Sequence, residues 1–176
     1  MTEQIEKGRS ELEYIDSVLD TVSRAESERE LAQIREELTE QGYLRKQKGK
    51  QRPQAALPPL EFTSSDGFKI LVGRNNTQND KLTLKIANKN DMWLHTKDIH
   101  GSHTVVFAEG REISDTAILE AAQLAAYYSK ARESSQVPVD YTLVRYVSKP
   151  SGARLGMVIY VNNKTVYVTP KANISE

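Results

Sequence analysis

The hydrophobic periodicity changes near residue 60, and this change limits the possible folds more than any other feature of the sequence. Before it, apolar residues recur at spacings of three, four and seven, from Ile5 to Val22 and again from Leu31 to Leu38. This spacing is typical of the a/d positions of a coiled coil. After it, short apolar runs alternate with period two and are separated by turn residues, as in strands. The chain therefore combines a helical N-terminal part with a sheet.

Two helices are predicted within residues 1–44. The pairs Ser23…Glu26 and Ser27…Glu30 each have the spacing of a capping box that opens a new helix, and Gly42 is a plausible C-terminal cap. We expect a helical hairpin that forms the end of a longer coiled-coil region. Its apolar seam could pair within one chain or between two chains, so self-association is open.

Residues 45–59 are predicted to be a basic linker. Pro53, Pro58 and Pro59 prevent a continuous helix. Five cations lie within eight residues: Arg45, Lys46, Lys48, Lys50 and Arg52. Such a linker is either a solvated spacer or a contact for phosphates, and the sequence does not decide between them.

Residues 60–172 are predicted to form an α+β domain with a mostly antiparallel sheet and one main helix. Ser114 is expected to cap this helix, which runs to about Ala131. Asp66-Gly67 and Asn162–Lys164 are expected to turn hairpins. Strands are predicted at Glu61–Thr63, Phe68–Val72, Leu82–Ile86, Met92–His95, Thr104–Phe107, Val139–Val147, Met157–Val161 and Thr165–Thr169.

Composition and charge exclude some functions. The 176 residues contain no Cys, so disulfides, thiolate nucleophiles and Cys-ligated zinc are excluded. No apolar run approaches the ~18 residues that span a bilayer, so no membrane insertion is expected. The net charge is zero, but residues 1–44 carry −7 and residues 45–176 carry +7. This asymmetry indicates either polyanion binding by the basic part or only a solvated acidic helix joined to a basic globule.

Three polar segments could carry chemistry. Residues 73–80 combine one Arg with several amides, which can bind phosphate, ribose or base edges or can simply serve a turn. Residues 91–103 hold the only Trp and all three His; Trp93 could stack on a base or lie in the core. Residues 149–156 form a loop with two cations, which could hold a phosphate or simply join two strands.

No enzymatic activity and no cofactor are expected. The spacing of His95, His100 and His103 matches no zinc motif, and residues 149–156 lack the Gly-x4-Gly-Lys-Ser/Thr pattern of a nucleotide-binding loop. No arrangement of a nucleophile with a base stands out. The histidine cluster leaves a metal-dependent hydrolase as a minor alternative.

These segments resemble, in order, the motifs of the NFACT-R domain of the NFACT family, over about Phe62–Pro170. The matching motifs are Asp66-Gly67, Val72–Asn76, Asn79-Asp80, Asp91–His95, Gly101–His103, Glu120–Ala122 through Ala125–Ser129, Val139–Thr142, and Val147–Pro150 with Gly152. Upstream, Ile34–Leu38 and Gly42-Tyr43 resemble the end of the coiled-coil middle region of the same family. His100 departs from the pattern, which has Pro before Gly-Ser-His.

The resemblance implies a cytoplasmic ribosome quality control factor of the RqcH type. Such proteins engage large ribosomal subunits blocked by peptidyl-tRNA and recruit alanyl-tRNA to tail the stalled chain, so tRNA and large-subunit RNA are the expected partners. The family's N-terminal domain is absent, so this chain is expected to bind RNA without tailing alone. The same family includes fibronectin-binding protein A-like adhesins, which implies the alternative of fibronectin or fibrinogen binding at the cell surface, in host attachment and virulence, without a signal peptide.

The residues predicted to bind RNA are Arg45, Lys46, Lys48, Lys50, Arg52, Arg74, Asn75, Asn76, Asn79, Trp93, His95, His103, Lys149 and Arg154. The residues predicted to organise the loops around them are Gly73, Asp80, Asp91, Gly101 and Ser102. No metal ligands are predicted.

Overall fold

A computed structural model of the chain describes residues 2–49 and 56–173. Its helices are α1 (Thr2–Arg24), α2 (Glu28–Glu40), α3 (Asn76–Lys81) and α4 (Asp115–Tyr127). A π-helical segment (Leu82–Ile86) continues α3, and a 3₁₀ turn spans Val144–Tyr146. Its strands are β1 (Leu60–Thr63), β2 (Lys69–Val72), β3 (Met92–Thr96), β4 (Thr104–Val106), β5 (Val137–Leu143), β6 (Val147–Ser148), β7 (Ile159–Tyr160) and β8 (Lys164–Val168).

The predicted α+β class, with an N-terminal helical hairpin and a mostly antiparallel sheet, is confirmed. Six described strands form one antiparallel sheet in the order β1-β2-β4-β3-β5-β8, and β6 and β7 form a separate two-stranded ribbon. The Asp66-Gly67 turn joins β1 to β2, with Leu60 opposite Val72. Because neighbouring residues of a strand point to opposite faces, the sheet can bury both faces under different layers.

Helix α4 covers one face of the sheet, and the π segment and the β6–β7 ribbon cover the other. The α4 side buries Ala121 and Ala125 against Ile70 and Leu94; small residues let a helix approach a sheet closely. The opposite side contains the second apolar cluster, in which Leu71, Leu82, Trp93, Val105, Phe107 and Val144 are buried and Val147, Val158 and Tyr160 pack against them. The domain is therefore three layers thick.

The helical hairpin packs through only part of the predicted seam, since Ile34 is buried and Ile15 and Leu38 pack beside it. Tyr14, Val18 and Ile34 are buried between the helices, whereas Leu12 and Leu19 of the seam are 66% and 60% exposed. Since α1 and α2 also lie against the α+β domain, their buried faces are set by that contact as well as by each other. Association between chains through the exposed seam stays a prediction.

Segment Leu82–Ile86 was predicted to be a strand, and this was wrong. Asn75 caps α3, and the helical backbone continues into a π-helical turn. Leu82 and Thr83 point into the core, while Leu84 and Ile86 are exposed. A strand would have placed all three apolar residues on one face, so their alternation did not reflect shared burial.

Two further local expectations were wrong. Asn162–Lys164 does not turn a β7–β8 hairpin, because β7 pairs with β6 while β8 pairs with β5, with Asp140 opposite Thr165. Helix α4 ends at Tyr127 rather than near Ala131, and an isolated bridge between Gly101 and Ser129 holds the chain just after it. In the described parts of the chain, no helix has the length and apolar character to cross a membrane.

Candidate nucleic-acid interface

Arg74 forms an ion pair with the helical hairpin. Its Nη1 lies 2.5 Å from Oε1 of Glu30 on α2, and its Nε donates to the carbonyl oxygen of Pro58 at 2.7 Å. Its backbone N–H donates to Oε1 of Gln78 at 2.8 Å. The guanidinium predicted to bind phosphate is thus occupied by a carboxylate from the acidic part of the chain.

The three predicted asparagines are buried and hydrogen-bonded within the fold. Asn75 caps α3, its Oδ1 accepting from the backbone N–H of Gln78 at 2.8 Å. Asn76 Nδ2 donates to Ser17 Oγ of α1 at 3.0 Å, and Asn79 Oδ1 accepts from the backbone N–H of His103 at 3.1 Å. These amides connect α3 to its surroundings, and RNA contact by them stays a prediction.

Gly73 follows β2 at a place where no side chain fits. A Cβ there would lie 1.9 Å from Oδ1 of Asn79, far inside van der Waals contact. Gly101 is similarly close to its neighbours, because a Cβ would lie 2.9 Å from Ser129 Cβ and from Thr96 Oγ1. Segments 73–80 and 91–103 can therefore pack closely against their neighbours, because glycine occupies these two positions.

The two cations of the third polar segment are also paired. Arg154 Nη2 lies 2.6 Å from Oε1 of Glu11 on α1, and Lys149 forms an ion pair with Asp80. Oδ1 of Asp80 also accepts from the backbone N–H of Gly156 at 2.8 Å. This carboxylate at the end of α3 holds the loop that follows β6.

The linker cations are exposed where the structure describes them. Arg45, Lys46 and Lys48 lie on the surface, and none has a carboxylate partner among residues 2–49 and 56–173. Lys50 and Arg52 lie outside the described residues. This stretch can meet a phosphate without first breaking an internal ion pair.

Trp93 belongs to the core. Its side chain is 1% exposed and lies parallel to the His95 ring, with centroids 5.7 Å apart and planes 3° apart. Tyr160 packs on it with a centroid distance of 4.7 Å. A base cannot reach the Trp93 face in this arrangement, so the core alternative describes the residue better.

His103 is buried and neutral. Its Nε2 faces the carbonyl oxygen of Gly156 at 3.0 Å and its Nδ1 faces Thr83 Oγ1 at 2.8 Å. Because a carbonyl only accepts, we assign the proton to Nε2, and Nδ1 accepts from Thr83. Burial lowers the pKa of His103 to about 3, and His95 nearby adds to the effect.

His95 faces two backbone carbonyl oxygens, so only one of its ring nitrogens can donate to them when the imidazole is neutral. Its Nδ1 lies 2.7 Å from the carbonyl oxygen of Thr96, and its Nε2 lies 3.2 Å from that of Gly101. Burial lowers the pKa of His95. Both histidines line a cleft of about 470 Å³ between α1 and the β7 region. No cluster of three or more His, Cys, Asp or Glu suited to a metal ion exists within the described residues.

Asp91 and Ser102 join neighbouring segments around the site. Asp91 is 2% exposed, and its carboxylate accepts from the backbone N–H groups of Asn88 at 2.7 Å and Ala108 at 2.9 Å. The backbone N–H of Ser102 donates to the carbonyl oxygen of Tyr128 at 2.9 Å. These contacts hold the turns at both ends of residues 91–103.

The sequence analysis did not predict several exposed cations, and four of them lie at the end of α3, on the π segment, in the turn after it and in the 3₁₀ turn. They are Lys81, Lys85, Lys89 and Arg145. None has a carboxylate partner among the residues that the structure describes. The sequence does contain a signal for them, because no Asp or Glu occurs in residues 81–90 or in residues 141–175.

The geometry defines a class of protein: an α+β domain on which an acidic helical hairpin is docked through ion pairs. Its surface also carries exposed cations that have no carboxylate partner within residues 2–49 and 56–173. Residues 59–162 match the family model described as the NFACT protein RNA binding domain, and residues 1–56 match that of the NFACT N-terminal and middle domains. The chain belongs to the NFACT family and carries its RNA-binding domain.

The sequence is similar to those of known proteins over nearly the whole chain. It is 49% identical over 174 residues to the Rqc2 homolog RqcH of Bacillus subtilis (strain 168) and 44% identical over 171 residues to that of Streptococcus suis (strain 05ZYH33). Each match covers 97% of this chain and 30% of the relative, so the chain spans less than a third of their length. The solved C-terminal structure of the fibronectin/fibrinogen-binding protein from Streptococcus suis superposes with a TM-score of 0.90 at 43% identity, covering 97% of this chain and 68% of that one.

Proposed function

We propose that this chain is an RNA-binding module of a ribosome quality control factor, with tRNA and large-subunit ribosomal RNA as its partners. The observation that carries the proposal is the match of residues 59–162 to the NFACT RNA-binding domain. The +7 charge of residues 45–176 supports it, because neutralising phosphates with cations supplies a large share of the affinity for nucleic acids.

Within this module the exposed cations make the first contacts. Arg45, Lys46 and Lys48 are free of internal carboxylates among the described residues, so a phosphate replaces only water and counterions. Arg74 and Arg154 would have to exchange Glu30 and Glu11 for phosphates. The linker is therefore the better phosphate contact, and the buried amides serve to shape the loops.

The same RNA-binding role is proposed for this module within a longer protein. The module would hold RNA of the large subunit and tRNA while other parts of the protein support alanine tailing of stalled chains. We propose that the module binds rather than catalyses, because the ring nitrogens of His95 and His103 face groups inside the fold. A cytoplasmic location fits these partners.

The test is a titration of the chain with a labelled tRNA transcript at 50 and 200 mM salt. We expect affinity to fall steeply with salt, by about tenfold or more, because several phosphates are contacted. The variant R45E/K46E/K48E should bind more weakly and with a flatter salt dependence. Wild-type chain that shows no salt-dependent binding would overturn the proposal, and unchanged binding by the variant would remove the linker from it.

A second candidate, fibronectin or fibrinogen binding, is favoured by the superposition on the Streptococcus suis protein named for that activity. On this proposal the chain acts as an adhesin module at the cell surface. It predicts saturable fibronectin binding that survives nuclease treatment and 200 mM salt. Loss of binding under either condition would instead identify a bridging contaminant.

A further inference from the structure

The outer side of the layer opposite α4 carries cations that are exposed and unpaired. Lys81 ends α3 and Lys85 lies four residues further along the π segment, so the two stand on neighbouring turns. Lys89 follows in the next turn. All three are exposed, and their side chains make no hydrogen bond or ion pair within residues 2–49 and 56–173.

A fourth cation, Arg145, is hydrogen-bonded to the turn that contains Lys89. The backbone N–H of Arg145 donates to the carbonyl oxygen of Lys89 at 3.3 Å, and its guanidinium donates to the side-chain oxygen of Asn90. The neighbouring Val144 donates its N–H to the carbonyl oxygen of Asp91 at 2.9 Å. The 3₁₀ turn and the turn after the π segment are therefore held together, and their cations form one group.

The framework beneath this group is rigid. Leu82 of the π segment is fully buried, and Val147 and Tyr160 of the β6–β7 ribbon pack on the same apolar cluster. The ribbon pairs Ser148 with Ile159. A surface fixed to a packed core loses little conformational entropy when a ligand binds.

The ribbon adds exposed apolar side chains to this surface. Val161 donates its N–H to the carbonyl oxygen of Tyr146 at 3.2 Å, which continues the ribbon by one pair. Residues paired across strands share a face, so Tyr146, Ile159 and Val161 point outward together, with 37%, 58% and 59% of each side chain exposed. Tyr146 follows Arg145 in the chain, so an exposed aromatic residue is the sequence neighbour of one of the cations.

The charge of this surface is of one sign. No carboxylate occurs in residues 81–90 or 141–175, from which the π segment, the 3₁₀ turn and the ribbon are built. The carboxylates of Glu30, Asp80 and Glu11 pair instead with Arg74, Lys149 and Arg154. The potential outside this layer is therefore positive, and a polyanion is its complementary partner.

We propose that this acid-free surface, formed by Lys81, Lys85, Lys89 and Arg145 with Tyr146 beside them, binds the sugar–phosphate backbone of RNA. The inference rests on the proposed function and assigns it to a surface distinct from the linker cations. The lysines neutralise phosphates, and Tyr146 offers a face on which an unpaired base stacks.

The experiment compares the wild-type chain with K81Q/K85Q/K89Q in fluorescence anisotropy titrations of a labelled tRNA transcript between 50 and 200 mM salt. Each lost phosphate contact flattens the slope of log affinity against log salt by about 0.7–0.9. We expect the slope to flatten by about 2 and the affinity at 50 mM salt to fall by roughly tenfold or more. K81R/K85R/K89R keeps the charge and should retain binding.

The matched control is K97Q/K130Q/K171Q, which removes the same charge from three exposed lysines outside this surface. Lys130 follows α4, and the backbone N–H of Lys171 donates to Gln123 of α4, so both lie on the α4 side. We expect it to bind within about threefold of wild type, because long-range charge is screened at these salt concentrations.

The outcomes separate the two proposals. Wild-type chain without salt-dependent RNA binding would overturn the proposed function and this surface with it. Wild-type chain that binds while K81Q/K85Q/K89Q binds equally well, or no worse than the control, would overturn only the surface. Loss of binding in both triple variants by the same factor would show a response to net charge alone and would also overturn it.

Discussion

At the scale of single residues, buried polar groups join distant parts of the chain. Asp140 accepts from Tyr160 Oη at 2.5 Å and from Thr165 Oγ1 at 2.6 Å, so one carboxylate links β5 to β7 and β8. Burial and this hydrogen bond raise the pKa of Tyr160. His103 likewise joins Thr83 of the π segment to Gly156 in the loop after β6. Such contacts hold the layers in register because leaving a buried polar group unpaired costs about 1–3 kcal/mol.

His103 should make stability depend on pH. Its folded pKa is about 3 against an ordinary 6.5, so between these values the unfolded chain binds a proton that the folded chain excludes. The free energy of unfolding is therefore unaffected by this group above pH 6.5. It falls as the pH is lowered, by up to about 1.4 kcal/mol per pH unit from His103. Urea unfolding at pH 7.0, 6.0 and 5.0 measures it. H103Q should lose less stability over this range, and parallel curves for the two proteins would contradict the assignment.

At the scale of elements, two caps show how local sequence begins a helix. Ser27 Oγ accepts from the N–H of Glu30 at 3.2 Å at the start of α2, and Ser114 Oγ accepts from the N–H of Ala117 at 3.0 Å at the start of α4. Ser114 also donates to Asp66 in the β1–β2 turn. The α4 cap therefore fixes the helix to the sheet, whereas the α2 cap acts only within its own helix.

S114A should destabilise the protein more than S27A. Loss of a helix cap costs about 1 kcal/mol, and S114A also removes a hydrogen bond to a carboxylate, so we expect urea unfolding to show a larger loss for S114A than for S27A. The hydrogen bonds from Ser114 and Ser64 hold the pKa of Asp66 below its usual range, so NMR titration of S114A should show that pKa rising. Equal losses in the two variants would show that Ser114 acts as a local cap alone.

At the scale of the whole molecule, the acidic hairpin is docked on the basic domain. Oε1 of Glu37 accepts from the backbone N–H of Thr77 at 2.9 Å, while its Oε2 accepts from Tyr14 Oη at 2.7 Å. Arg74 and Arg154 bind the hairpin from two further positions. The charge split along the sequence is therefore used in part inside the molecule, through ion pairs between the acidic hairpin and the basic domain.

E37Q should loosen the hairpin. Glu37 is 3% exposed, and the amide cannot accept at both of its ends, so one partner loses its acceptor at a cost of about 1–3 kcal/mol. We expect hydrogen exchange in α1 and α2 to accelerate more than in the sheet. E36Q changes an exposed neighbour on the same helix and should leave exchange unchanged. Uniform acceleration throughout the chain would indicate global destabilisation and not undocking.

Local interactions made much of the fold predictable. The change of periodicity near residue 60, the Asp66-Gly67 turn and the Ser27 and Ser114 caps depend on residues close together in the chain. The π segment was missed because a run of alternating residues fits a strand equally well until tertiary burial selects Leu82. The pairing of β8 with β5 was missed because it joins strands that are not neighbours in sequence.

The candidate site divides in the same way. The sequence by itself determined the family motifs, the positive charge of residues 45–176 and the absence of carboxylates from residues 141–175. Only the tertiary structure decided that Trp93 is buried and that Arg74 and Arg154 are paired. It also decided that Lys81, Lys85 and Lys89 have no carboxylate partner among the residues it describes. The reason is physical: composition counts charges, but whether a charge meets a carboxylate or water depends on which distant segments the fold brings within a few ångströms.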